Sequence, residues 1–188
     1  NNPTVEAFEQ RITKLERGVA SVACASGMAA LFNALANILQ AGDEVVAAAG
    51  LYGGTVELFE DLESFGNTTK YVTENEPQAY EKLITEHTRV IFAETIGNPK
   101  LDVTDIRAVA DMAHAHGLPL VIDNTVATPY LVRPLELGAD VVVNSSSKYI
   151  NGNSDAISGI LTWSGKFAWD PERYPGLVPY KKFGPMAY

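Results

Sequence analysis

At 188 residues and 46% hydrophobic, the chain is long enough for one sizeable domain with a buried core. A net charge of −9 with no block of Lys or Arg argues against nucleic acid as a partner, although a small anion can still bind where backbone dipoles converge. The single cysteine, Cys24, rules out an internal disulfide framework and, with no signal-like segment, points to the cytoplasm; no apolar stretch is long enough to span a membrane, so no membrane partner is expected.

The chain opens at Asn1-Asn2-Pro3-Thr4, without methionine, and stops in a Pro- and aromatic-rich run, so it reads as the middle of a longer polypeptide. Residues 4–17 form an amphipathic helix entered at Pro3 and Thr4, with Val5, Phe8, Ile12 and Leu15 on one face and Gly18 as its stop. Residues 19–25 are a buried run of small residues in which Cys24 is a core residue. Ser26-Gly27-Met28 then opens a helix to Ile38 that is apolar nearly all round and therefore buried. Its first turn carries unpaired N–H groups, so Ser26 is either a helix cap or one wall of an anion cradle, and the two roles are compatible.

Residues 43–49 read as a strand, followed by a glycine-flanked turn at Tyr52 and a helix to about Phe65. A short strand over 70–73 and a polar-faced helix over 78–86 come next. The strand over 89–93 ends at Glu94, with Asn98 in the turn beyond it. A helix over 104–116, capped by Thr104 and stopped by Gly117, leads to a strand over 118–122 that ends at Asp123-Asn124-Thr125. The β-branched run Val141-Val142-Val143 is the next buried strand. It breaks into Asn144-Ser145-Ser146-Ser147-Lys148 and the flexible Asn151-Gly152-Asn153, and a last strand covers 158–163.

Strands alternating with helices at this spacing predict an α/β fold, a mostly parallel sheet with helices on both faces. Tyr52, Glu94, Asn98, Asp123, Thr125, Ser145, Ser147 and Lys148 then all follow the carboxyl ends of strands, the edge where such sheets bind ligands. A lysine at that edge beside a carboxylate from a neighbouring strand suits an electron-sink cofactor. Pyridoxal 5'-phosphate needs an amine to condense with its aldehyde, an acid for its ring nitrogen, a flat surface for stacking and a phosphate cradle. Lys148, Asp123, Tyr52, and the Gly27-Met28 helix start with Ser145 and Ser147 can supply them.

Rival motifs lack their context. Ser145-Ser146-Ser147-Lys148 matches a Ser-x-x-Lys acylase motif, but no Lys-Thr-Gly follows. Neither a dinucleotide fingerprint nor a P-loop occurs. His87, His114 and His116 have no ligand-spaced partners, so surface roles and no metal are expected.

An ordered set of motifs resembles the transsulfuration enzymes of Cys/Met metabolism, a pyridoxal-phosphate family. They are Asn2-Pro3-Thr4, Ser26-Gly27-Met28, Leu51-Tyr52-Gly53-Gly54-Thr55, Glu94-Thr95-Ile96-Gly97-Asn98-Pro99, Asp123-Asn124-Thr125 and Ser145-x-Ser147-Lys148-Tyr149. The resemblance implies the aspartate-aminotransferase-like fold (fold type I). It also implies a large cofactor-binding domain over 1–163, with 164–188 a connector towards a C-terminal domain. A homotetramer with active sites shared across a dimer is expected with it.

By the same resemblance Lys148 binds the cofactor and shuttles protons, Asp123 holds the ring nitrogen protonated, and Tyr52 stacks on the ring and assists departure of the leaving group, which makes these three the catalytic residues expected. Gly27, Met28, Ser145 and Ser147 would hold the phosphate, Asn98 would meet the ring hydroxyl, and Thr125 would add a weaker contact. The Tyr and Arg that the family supplies to a neighbouring subunit, and the arginine that binds the substrate carboxylate, fall outside this sequence. The Leu51-Tyr52-Gly53-Gly54 stretch, with glycine where the methionine γ-lyases typically carry cysteine, and the runs from Gly97 and Ser164 are similar to the O-acetylhomoserine sulfhydrylase branch. The activity implied is γ-replacement on an O-acylated homoserine with a sulfur donor, giving homocysteine; a cystathionine synthase or lyase, or a non-catalytic relative, are the alternatives. One departure stands beside the lysine: the family's His-Ser-Ala-Thr-Lys reads Asn144-Ser145-Ser146-Ser147-Lys148, and its Gly-His-Gly reads Gly152-Asn153-Ser154.

Overall fold

A computed structural model describes residues 2–177. The helix α1 (Pro3–Glu16) is capped by Asn2, whose Oδ1 accepts from the N–H groups of Thr4 and Val5 at 3.0 and 3.4 Å. The entry therefore lies earlier than Thr4, because the asparagine side chain reaches the orphan N–H groups of the first turn. There follow β1 (Ala20–Cys24), α2 (Gly27–Ile38), β2 (Glu44–Ala47), α3 (Gly53–Glu63), β3 (Thr68–Tyr71), α4 (Pro77–Glu81) and β4 (Thr88–Glu94). After these come α5 (Ile106–Ala115), β5 (Leu120–Asp123), α6 (Thr128–Leu131), β6 (Val141–Asn144) and β7 (Gly159–Trp163).

One seven-stranded sheet has the order β1-β7-β6-β5-β4-β2-β3. The run β6-β5-β4-β2-β3 is parallel, and β7 lies antiparallel between β6 and β1. The fold class read from the sequence is thus found, with an antiparallel insertion at one side. The central strands are buried as continuous runs, Val90 to Ala93 and Leu120 to Ile122 among them, as parallel strands covered on both faces must be. Among the described residues no helix is long and apolar enough to cross a membrane.

Several local expectations shift. Residues 19–25 are an exposed-rimmed edge strand rather than a buried run: Val19 and Val22 face outward, because β1 pairs with β7 alone. Cys24 is accordingly half-buried. Helix α2 buries one face, through Ala30, Leu31, Ala34, Leu35 and Ile38, and leaves Phe32 exposed. Asp105, not Thr104, caps α5 by accepting from the Ala108 N–H at 3.1 Å; the Thr104 hydroxyl donates instead to the Glu94 carbonyl. Helix α4 ends at Glu81, well short of residue 86.

His114 is not merely a surface group, since its Nε2 lies 2.8 Å from Oδ2 of Asp140. That carboxylate is buried at the head of β6, where it also accepts from the Leu120 N–H and needs a second donor. The segment after β7 packs back on the domain, with Phe167, Trp169 and Tyr174 meeting edge to face. The connector expected over 164–188 therefore begins as a packed element, and its remainder from 178 lies outside the described residues.

Candidate active site

The parallel strands end together. Glu94 of β4 stands in register with Asp123 of β5, and Asp123 with Val143 of β6, while the antiparallel β7 starts at this same edge with Gly159. A cavity of about 610 Å³ opens there. All nine residues expected at the site line it: Gly27, Met28, Tyr52, Asn98, Asp123, Thr125, Ser145, Ser147 and Lys148. The edge thus gathers groups from five separate stretches of chain, the arrangement that a switch of strand order makes possible.

One wall is the start of α2. The Ser26 hydroxyl accepts from the Ala29 N–H at 3.1 Å, so the cap reading holds. Gly27 and Met28, at the first two helical positions, have N–H groups that no intrahelical acceptor can reach. Gly27 packs so closely on Ser145 that a Cβ there would lie 2.5 Å from the serine Cβ. A cradle of helix-start N–H groups beside a free serine hydroxyl fits a phosphate, with the helix dipole favouring the anion. Ser147 is engaged differently: its Oγ donates to the Ser158 carbonyl at 3.0 Å and accepts from the Ser158 N–H at 2.9 Å. Its hydroxyl proton would have to turn from that carbonyl to serve an anion.

The opposite wall carries two acids. Burial pushes the Asp123 carboxyl up, partly offset by hydrogen bonds from the Thr125 hydroxyl and from its N–H, the latter 2.8 Å from Oδ1. Asp123 has no cation partner among the described residues, so a ring nitrogen bearing a proton fits it chemically. Thr125 Oγ1 also accepts from the Ser145 N–H at 2.7 Å. It thereby joins the acid side of the site to the phosphate side, a larger part than the weak contact expected.

Glu94 is the group the sequence placed at the edge without a role. It is buried and its Oε1 accepts from the Tyr52 N–H at 2.7 Å. Desolvation raises its pKa to about 7, and the nearby Asp123 charge adds to the rise, while N–H groups of Tyr52 and Asn98 counter it. Glu94 therefore ties down the turns that present Tyr52 and Asn98. A carboxyl that holds its proton more tightly folded than unfolded stabilises fully below about pH 4.5 and loses that contribution as pH rises through 7. Chemical unfolding of the full-length apoprotein should show stability falling between about pH 5 and 8, by up to about 3 kcal/mol. Glu94→Gln, which keeps an acceptor for Tyr52, should flatten that slope; an equal slope in both proteins would refute the assignment.

Lys148 is exposed in the cavity and makes no side-chain hydrogen bond or ion pair among the described residues. The turn that presents it is tied by the Lys148 N–H to the Ser145 carbonyl at 3.1 Å and by the Gly152 N–H to the Lys148 carbonyl at 2.8 Å. Tyr52 is half exposed, and its ring lies over the start of α3, where only glycine at position 54 leaves room. Tyr149, Gly152, Ser154 and Ile157 also line the cavity. Sequence reading missed them because they sit in an irregular segment with no periodicity.

A family model described as Cys/Met metabolism PLP-dependent enzyme matches residues 1–178. Homocysteine synthase of Schizosaccharomyces pombe is 42% identical, covering 100% of this chain and 47% of that protein. O-acetyl-L-homoserine sulfhydrylase of Corynebacterium glutamicum is 48% identical over 92% of this chain and 40% of its own. A candidate O-acetylhomoserine (thiol)-lyase of Campylobacter jejuni, solved with N'-pyridoxyl-lysine-5'-monophosphate, superposes with a TM-score of 0.91 at 35% identity, over 97% of this chain and 46% of its own. The chain spans less than half the length of these relatives.

Proposed function

Because the chain belongs to the Cys/Met metabolism PLP-dependent enzymes, we propose that it is the cofactor-binding part of an enzyme that replaces the γ-substituent of an O-acylated homoserine with a sulfur nucleophile, giving homocysteine. The observation that carries this reading is the convergence of Lys148, Asp123 and the Gly27–Ser145 cradle on one cavity at the strand ends. When bound, pyridoxal phosphate supplies an electron sink for charge developing on the substrate's carbons. Lys148 anchors it and then moves protons at the substrate's Cα and Cβ, and Asp123 keeps a proton on the ring nitrogen. Gly27, Met28 and Ser145 hold the phosphate, with Ser147 as a further hydroxyl. Tyr52 covers the ring and keeps water from it, while Asn98 and Thr125 fix the ring edge.

Assembly as a homotetramer in the cytoplasm, with sites shared across a dimer, belongs to the same proposal. The exposed Tyr149 and Ile157 support it, since apolar surface of this kind near a cavity mouth is suited to cover by another subunit. The test is product analysis of the full-length holoprotein. With O-acetylhomoserine and sulfide, homocysteine and acetate are expected. Cleavage of cystathionine with no γ-replacement would instead make it a lyase of the same family.

A further inference from the structure

Beneath the sheet edge, away from the cavity lining, lies an acid that the proposed chemistry does not use. Glu16, the last residue of α1, is fully buried, although its place on an amphipathic helix next to Arg17 reads as surface. Its Oε1 accepts from Asn144 Nδ2 at 2.8 Å and from Asn124 Nδ2 at 3.2 Å. The Asn124 amide has its orientation fixed. Its Nδ2 also donates to the Val132 carbonyl at 3.0 Å, and its Oδ1 accepts from the Thr95 hydroxyl at 2.8 Å.

Two buried atoms in this group have no partner among the described residues, Glu16 Oε2 and Asn144 Oδ1. Both are acceptors, and with an ionised glutamate no donor is left for either. Leaving two such buried atoms unpaired forfeits their hydration with nothing in exchange. One added proton changes this: carried on Oε2, it turns an unpaired acceptor into a donor and removes the buried charge. Among the described residues the cation acting on Glu16 through space is Arg133, and its guanidinium is already bound by the Leu15 carbonyl at 3.1 Å and by Glu136 at 3.5 Å. Arg17 too is turned to Glu136, at 3.9 Å. Burial raises the Glu16 pKa in the same sense.

We propose that Glu16 is a neutral carboxylic acid paired with the Asn144 amide, and that it acts as a positioning residue by clasping the ends of β5 and β6. Asn124 directly follows Asp123 and Asn144 directly precedes Ser145, so one side chain from α1 fixes the backbone of both the acid and the phosphate side of the cavity. Burial is what favours the neutral acid, and Asn144 adds no positive charge beside it, whereas a protonated imidazole there would hold it as an ion.

The protonation half is read by infrared difference spectroscopy on the full-length apoprotein near neutral pH, and so stands apart from the proposed activity. Subtracting Glu16→Gln should reveal a neutral carboxylic-acid carbonyl band that shifts in D2O, and Asn144→His should erase that band. Absence of the band in the wild-type protein, or its persistence unchanged in Asn144→His, would overturn the proposal. The positioning half rests on the cofactor reading and is measured as pyridoxal-phosphate affinity. Glu16→Ala should weaken it about tenfold, and Glu16→Gln, which can donate to one asparagine and accept from the other, should restore it. Equal affinity in both variants and wild type would remove the positioning role, as would an equal loss in both.

Discussion

Lys148→Ala in the full-length protein is expected to lower kcat by about 10³-fold or more and to abolish the visible absorption of lysine-bound cofactor. A group that both attaches a cofactor and transfers protons supplies two effects at once. Positioned proton transfer alone contributes about 10²–10⁴-fold. The stability of the protein should hardly change, because the Lys148 side chain is exposed and bonded to nothing among the described residues. This pairing of outcomes is the informative part. Loss of activity with an unaltered unfolding midpoint assigns the lysine to chemistry, whereas residual activity within tenfold of wild type would take it out of the reaction. Pyridoxal phosphate should still bind without a covalent link, held by the Gly27–Ser145 cradle and Asp123.

Gly159→Ala carries the largest expected effect on stability. A Cβ at this first position of β7 would overlap the Ser26 carbonyl and press on the Gly27 N–H. These are backbone atoms, so no rotamer change relieves the clash, and β7 is held on both sides by β1 and β6. Overpacking against fixed backbone costs about 3 kcal/mol or more. The displaced atoms are also the ones that would hold the phosphate, so cofactor affinity should fall together with the urea unfolding midpoint. Gly53→Ala is the control, as a Cβ there meets nothing within 4 Å. If Gly159→Ala unfolded with the wild-type midpoint, the close approach of β7 to the start of α2 would be wrong.

How far the chain could be read in advance depended on which signals are local. The buried strands 89–93, 118–122 and 141–143 announced themselves as short apolar runs, and the polar residues after each one located the cavity edge. Lys148 and Asp123 were legible for that reason. Glu94 was visible as a strand end, but its burial is not local: it comes from the turn carrying Tyr52, 42 residues earlier, folding over it. Glu16 was invisible as a buried acid, because periodicity alone places a polar residue at the end of α1 in water, and its partners lie 108 and 128 residues away. The antiparallel course of β7 also escaped the pattern, since a strand's sequence shows its burial but not its direction. The exposed side of β1 followed from the same gap, because an edge is defined by the neighbours a strand lacks.

The pairing of β1 with β7 bears on how the protein is made. Residues 20–24 leave the ribosome about 140 residues before the partner they need, residues 159–163. At translation speeds of roughly 5–20 residues per second, the first strand and the helix start behind it wait on the order of ten seconds for their place in the sheet. During that wait the face of α2 that the fold buries is exposed to the cell. The cofactor cradle, which needs Gly27 beside Ser145 and Gly159, is therefore completed only once β7 has emerged, and until then the nascent chain has greater need of chaperone protection.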